Sequence, residues 1–196
     1  MPVRSSLYHS TAVENIPTIL QQGLESTGEG YRDPIENDIQ TVARQEQLQY
    51  PVVRQDCIFF YPSLSQTINM SRLNFDDYDC GLFGGPEGII VVDMDEHQDE
   101  LFVADFDFFS DCIDLQYMSE PDDTIRSESY DAALQNYAES VTPLTAFDSI
   151  EELTKQFHIP EVLFEGSLPP DNIVEVILED EILGSGWYST DPRSSD

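Results

Sequence analysis

Lysine is almost missing from this chain. Lys155 is the only one, and the eight Lys and Arg residues together face 39 Asp and Glu, for a formal net charge of -31 at pH 7. Tight binding of a DNA backbone through a general basic patch is therefore not expected, because that mode needs Lys and Arg to neutralise phosphates. Cysteine is sparse too. Cys57, Cys80 and Cys112 are odd in number and widely spaced, which fits neither a disulfide framework nor a CxxC metal site. Cys57 and Cys112 sit beside apolar runs and read as buried thiols. No apolar run approaches the length of a membrane span, and the N-terminus has no apolar signal region. The expectation is a soluble cytoplasmic protein. Both GxGxxG after a strand and GxxxxGK[ST] are missing, so ordinary dinucleotide and P-loop chemistry are not expected.

Hydrophobic and aromatic content is ordinary, at 40% and 11%, so the acid excess belongs to the surface of a folded body and is not the mark of disorder. With 196 residues the chain has room for one domain. We expect it over residues 1–183, with the Gly, Ser and Asp-rich stretch 184–196 as a disordered tail. Self-repulsion among so many carboxylates is relieved by salt, since the Debye length shrinks to about 3 Å at 1 M. A salt-rich, halophilic setting accounts for the charge. A nucleic-acid mimic would offer its acids in regular rows on long helices, whereas here they are interleaved with strands, turns and loops.

Residues Leu7 to Thr11 read as a first strand. A helix follows from near Asn15, with Ile16, Ile19 and Leu20 on one face and Gly23 as its stop. Glu25 to Glu36 is polar and contains Gly28, Gly30 and Pro34, so it reads as a long loop covering a site. Asn37 is placed to cap a helix over Asp38 to Gln49. Cys57 to Tyr61 is an apolar strand stopped by Pro62, Ser63 to Ser71 a short helix, and Asn74 to Gly85 an acidic loop. Gly88 to Asp93 is the clearest strand by β-branched content. Leu101 to Phe106 is the next, and Phe106, Phe108 and Phe109 are core candidates. Asp93, Asp95, His97 and Asp99 suggest a calcium loop, but Gln98 stands where the sharp turn needs Gly and Ala104 where it needs Glu, so we read a solvated turn. Ser129 to Ser140 is helical, Ser149 with Glu152 forms a capping box for a helix to Phe157, a strand begins near Glu161, and Ile173 to Leu178 is the last strand. Strict βαβ alternation is missing. The pattern predicts an α+β fold with a curved, partly antiparallel sheet and flanking helices.

Three pieces stand in order: Tyr8-His9-Ser10-Thr11 on the first strand, with a helix and Gly23-Leu24 after it; Ile58-Phe59-Phe60 with Ser65-Gln66-Thr67-Ile68-Asn69-Met70; and Glu161-Val162-Leu163-Phe164 closed by a turn and a further strand. This order resembles the ADP-ribosyltransferase superfamily over most of residues 5 to 180. The Pro169-Pro170 turn and Ile173 are more similar to its DNA-modifying toxin and RNA 2'-phosphotransferase branches than to poly(ADP-ribose) polymerases. Two tyrosines of the polymerase pattern are replaced here, by Phe59 and Met70.

The resemblance implies a split sheet and NAD as co-substrate, with a mono-ADP-ribosyltransferase activity toward an unidentified DNA, RNA or protein acceptor. A toxin or defence enzyme is one form this takes, which leaves room for an antitoxin or regulatory protein as partner. It implies Glu161 as the catalytic carboxylate, facing a cleft and stabilising an oxocarbenium-like sugar. His9 and Phe59 complete the catalytic set, His9 on a ribose and Phe59 stacked on nicotinamide. Ser10, Thr11, Tyr61 and Tyr31 join His9 and Phe59 as cofactor contacts. Arg32, Arg44, Arg54 and Arg72 are the candidates to meet the pyrophosphate, and no metal is called for. Two other readings stay open: an acidic non-catalytic binding protein, either an NAD-binding pseudoenzyme or a nucleic-acid mimic, and an RNA 2'-phosphotransferase-like enzyme.

Overall fold

The structure is a computed structural model that describes residues 6–26, 33–68, 70, 87–117 and 123–178. The loop with Tyr31 and Arg32, the segment with Arg72 and Cys80, and the tail 184–196 lie outside the described residues. The fold is α+β, and every strand pairing among the described residues is antiparallel.

Strand β1 (Ser6–Ala12) pairs with β4 (Glu87–Asp93), which pairs with β9 (Ile173–Leu178). A second sheet runs β3 (Cys57–Phe60), β7 (Pro160–Glu165), β5 (Leu101–Asp105) and β6 (Thr142–Pro143). The short strands β2 (Leu24–Glu25) and β8 (Ser167–Leu168) form a separate pair. Among the described residues one bridge joins the two larger sheets, where Tyr8 N–H donates to the Tyr61 carbonyl at 3.1 Å and Tyr61 N–H to the Tyr8 carbonyl at 2.8 Å. The strands bearing His9, Phe59 and Glu161 are thus neighbours in the order β1, β3, β7.

Five helices carry the connections: α1 (Ile16–Gln22), α2 (Asp33–Gln45), α3 (Phe106–Tyr117), α4 (Asp123–Ser140) and α5 (Ile150–Gln156). Residues 64–68 form a further short helical stretch. Gly23 closes α1 at φ 90°, a conformation that favours glycine, and a Cβ there would also strike the Leu168 carbonyl. Ser149 caps α5 as its spacing implies, its hydroxyl accepting from Glu152 N–H at 3.3 Å.

One departure from the sequence reading has a clear cause. Helix α2 starts at Asp33 and not at Asp38, because Pro34 sits in its first turn, where the missing N–H costs nothing. Part of the supposed loop Glu25 to Glu36 is therefore helix. The run after β5 is also helical, and α3 buries Phe106, Phe109 and Cys112 along one side. The acidic turn after β4 is a 3-10 segment, Asp95–Glu100, and no metal-holding group of His, Cys, Asp and Glu occurs among the described residues. No described helix is long and apolar enough to cross a membrane.

The second sheet is covered on both faces. On one, Ile58, Phe60, Val103, Val162 and Phe164 share a core with Leu7, Ile90 and Val92 of the first sheet and with Leu153 and Phe157. On the other, Cys57, Ala104 and Leu163 pack under α2, α3 and α4 through Ile35, Ile39, Phe109, Leu134 and Tyr137. Strand β7 is therefore buried at every position from Pro160 to Phe164, and any polar side chain on it must find a partner inside the protein.

Candidate functional site

Glu161 is that side chain, at 2% exposure. It stands second in β7, opposite Ala104 of β5, on the face covered by α2, α3 and α4. Its partner is Arg54, which lies in a one-turn 3-10 segment (Arg54–Asp56) just before β3 and is fully buried. Nη2 of Arg54 donates to both carboxylate oxygens of Glu161, at 3.1 and 2.9 Å, while Nη1 reaches Glu36 Oε1 on α2 at 2.6 Å and Nε reaches the Tyr137 hydroxyl on α4 at 2.9 Å. The Tyr137 hydroxyl also lies 3.5 Å from Glu161 Oε2.

Aromatic faces complete the enclosure. The guanidinium carbon lies 3.6 Å from the Phe109 ring centre and 4.2 Å from that of Phe59, with Tyr137 at 5.6 Å. A planar cation between two rings, with carboxylates at its edges, combines cation–π attraction with charge-assisted hydrogen bonds. Burial opposes the charge on Arg54, but Glu161, Tyr137 and Glu36 together outweigh it and hold the guanidinium protonated. Burial also pushes the Tyr137 phenol well up, with Arg54 opposing that shift. Tyr50 is electrostatically coupled to Arg54, Glu36 and Glu161, and burial raises its phenol. Its hydroxyl is buried without a hydrogen-bond partner among the described residues.

His9 belongs to a different environment. Its ring sits edge-on to Phe60, 6.0 Å between centres, and its Nδ1 lies 2.9 Å from the Phe59 carbonyl. A carbonyl only accepts, so neutral His9 carries its proton on Nδ1, which leaves Nε2 as an acceptor. Burial lowers its pKa, partly offset by that bond. Since Phe60 packs in the core between the sheets and Phe59 under the helices, the His9 ring and the Glu161 carboxylate lie on opposite sides of β3. Thr11 accepts from Asn15 Nδ2 at 3.4 Å, Ser10 is half-buried on β1, and Tyr61 packs with Phe59 in the helix-side core.

The structure thus joins Phe59 and Glu161 around Arg54, places Tyr61 beside them in the same core, and keeps His9 apart. In this conformation Glu161 does not face an open cleft, and Arg54 is no candidate for a pyrophosphate, since its guanidinium is committed inside the core. Arg44 is at the surface and donates to Gln40 Oε1 at 3.1 Å. Glu36 and Tyr137 are members of the site that the sequence reading missed. The signal available was an arginine beside an apolar strand in a chain with so few cations, which calls for buried carboxylates somewhere.

The start of β7 is held by two further contacts. Gln66 Nε2 donates to the Pro160 carbonyl at 2.8 Å, which ties the helical stretch of the second motif to the third. Asp105, 6% exposed at the end of β5, accepts from the backbone N–H groups of His158, Ile159 and Asp107 at 2.8, 2.9 and 3.2 Å. One carboxylate thereby fixes both the loop that delivers Glu161 and the first turn of α3.

No family model matches the chain, and no curated relative matches it either. Among solved structures it is similar to EcPltA, at 14% identity and a TM-score of 0.41, over 91% of this chain and 77% of that one. A likeness that distant carries no argument here.

Proposed function

We propose that this chain is an ADP-ribosyltransferase-like protein that does not carry out the transfer and works as an acidic, non-catalytic binding protein. The observation behind this reading is that Arg54 takes both the Phe59 face and the two Glu161 oxygens, the groups that stacking on nicotinamide and stabilising a cationic sugar would require. Freeing Glu161 means breaking a buried ion pair, at a cost of about 3–5 kcal/mol. NAD binding would have to supply that before any chemistry began. With a formal charge of -31, the partner suited to this surface is a basic protein face, steered by charge and released by salt.

A second reading, an NAD-dependent mono-ADP-ribosyltransferase, is favoured by the adjacency of β1, β3 and β7, with His9 pinned to the backbone of Phe59. It requires Arg54 to withdraw. A 2'-phosphotransferase-like role has less support, because among the described residues the surface cations Arg44 and Lys155 each bond a neighbour on their own helix.

Labelled NAD incubated with the protein in molar KCl, alongside calorimetric titration, separates these readings. We expect no NAD consumption and no heat. Consumption by the parent protein that disappears in Glu161→Gln would overturn the non-catalytic reading and restore the transferase.

A further inference from the structure

We infer that the chamber around Arg54 is a guanidinium-binding site that the chain fills with its own side chain, and that it takes a free guanidinium cation once Arg54 is truncated. Its walls come from five elements, none of which carries Arg54 itself. Phe59 and Glu161 are carried on the paired strands β3 and β7, Glu36 on α2, and Phe109 and Tyr137 on α3 and α4, the last two in direct ring contact at 5.4 Å. Those walls supply two aromatic faces and three separate polar partners, each served by a different guanidinium nitrogen: the Glu161 carboxylate by Nη2, Glu36 by Nη1 and the Tyr137 hydroxyl by Nε.

Geometry of this kind selects a planar, forked donor over an ammonium, which is a compact point charge with no face to stack. The charge count points the same way. Two buried carboxylates stand against one guanidinium, so an emptied slot keeps a strong demand for a cation. The ligand class is a guanidinium or amidinium, and the inference does not depend on whether the chain binds NAD.

The test uses the full chain carrying Arg54→Ala in molar KCl, titrated with methylguanidinium or with methylammonium at matched ionic strength, while the melting temperature is followed. Methylguanidinium at ten times its dissociation constant should raise the melting temperature of the variant by about 3–6 °C, with a further rise that follows the logarithm of its concentration. Neither methylammonium on the variant nor methylguanidinium on the parent protein should raise the melting temperature in this way. Arg54→Gln, a milder truncation, is titrated in parallel. If Arg54→Ala is unfolded alone, recovery of far-ultraviolet circular dichroism on adding methylguanidinium supports the site. Equal responses to the two cations, or no gain by either variant, overturns it.

Discussion

Replacing Glu161 by Gln tests whether the carboxylate is an internal counter-ion or a poised catalyst. In the structure it accepts two charge-assisted hydrogen bonds from Arg54 at 2% exposure. Gln keeps one acceptor oxygen but turns an amide N–H2 toward the guanidinium. Breaking a buried pair costs about 3–5 kcal/mol. The lower end applies, because Glu36 at 2.6 Å still neutralises Arg54 after the change, so we expect a loss of about 3 kcal/mol. For a chain of this size that is about 6–12 °C in melting temperature. Arg54→Met should cost more, because it leaves two buried carboxylates with no cation, and the two changes should be non-additive, since they remove one shared interaction. The assay is urea unfolding followed by circular dichroism in molar KCl; guanidinium chloride is unsuitable because it is itself a salt and would change the screening of the surface charge as it unfolds the chain. A Glu161→Gln protein within 0.5 kcal/mol of the parent would refute the counter-ion role.

Other expectations follow from the same contacts. Burial lowers the His9 pKa below its usual 6.5, so the folded state takes up this proton less readily than the unfolded chain; the His9 contribution to stability is complete above pH 6.5 and is lost as pH falls through the lowered value, and NMR titration should find its ring neutral where an exposed histidine is half-protonated. Asp105→Asn keeps one acceptor for three backbone donors and should cost about 1–3 kcal/mol in urea unfolding, whereas an unchanged midpoint would remove Asp105 as the clamp on the loop before β7. Burial pushes the Cys57 and Cys112 thiols up to about 12, so peptide mapping after a thiol reagent at pH 8 should find both unmodified in the folded protein and modified in urea. Stability should rise steeply with KCl, and equal melting temperatures in dilute buffer and molar KCl would contradict screening as its source.

Local chemistry was readable without the fold. The strand from Ile173 to Leu178, the cap at Ser149, the stop at Gly23 and the buried character of Cys57 and Cys112 each follow from side-chain periodicity or a nearby hydrogen bond. The start of α2 was misread because Pro34 serves equally well in a loop or a first helical turn. What no local pattern contains is the partner of a buried charge. Arg54 meets Glu161 across 107 positions, Tyr137 across 83 and Glu36 across 18. Among 39 acids nothing in the sequence marks Glu36 as internal, and the apolar strand that carries Glu161 does not say which cation it meets. That choice is made when α2, α3 and α4 close over one face of the second sheet. Desolvation then makes a bare charge on Arg54, Glu36 or Glu161 too costly to keep alone, and it makes Glu161 a counter-ion of Arg54 in the core.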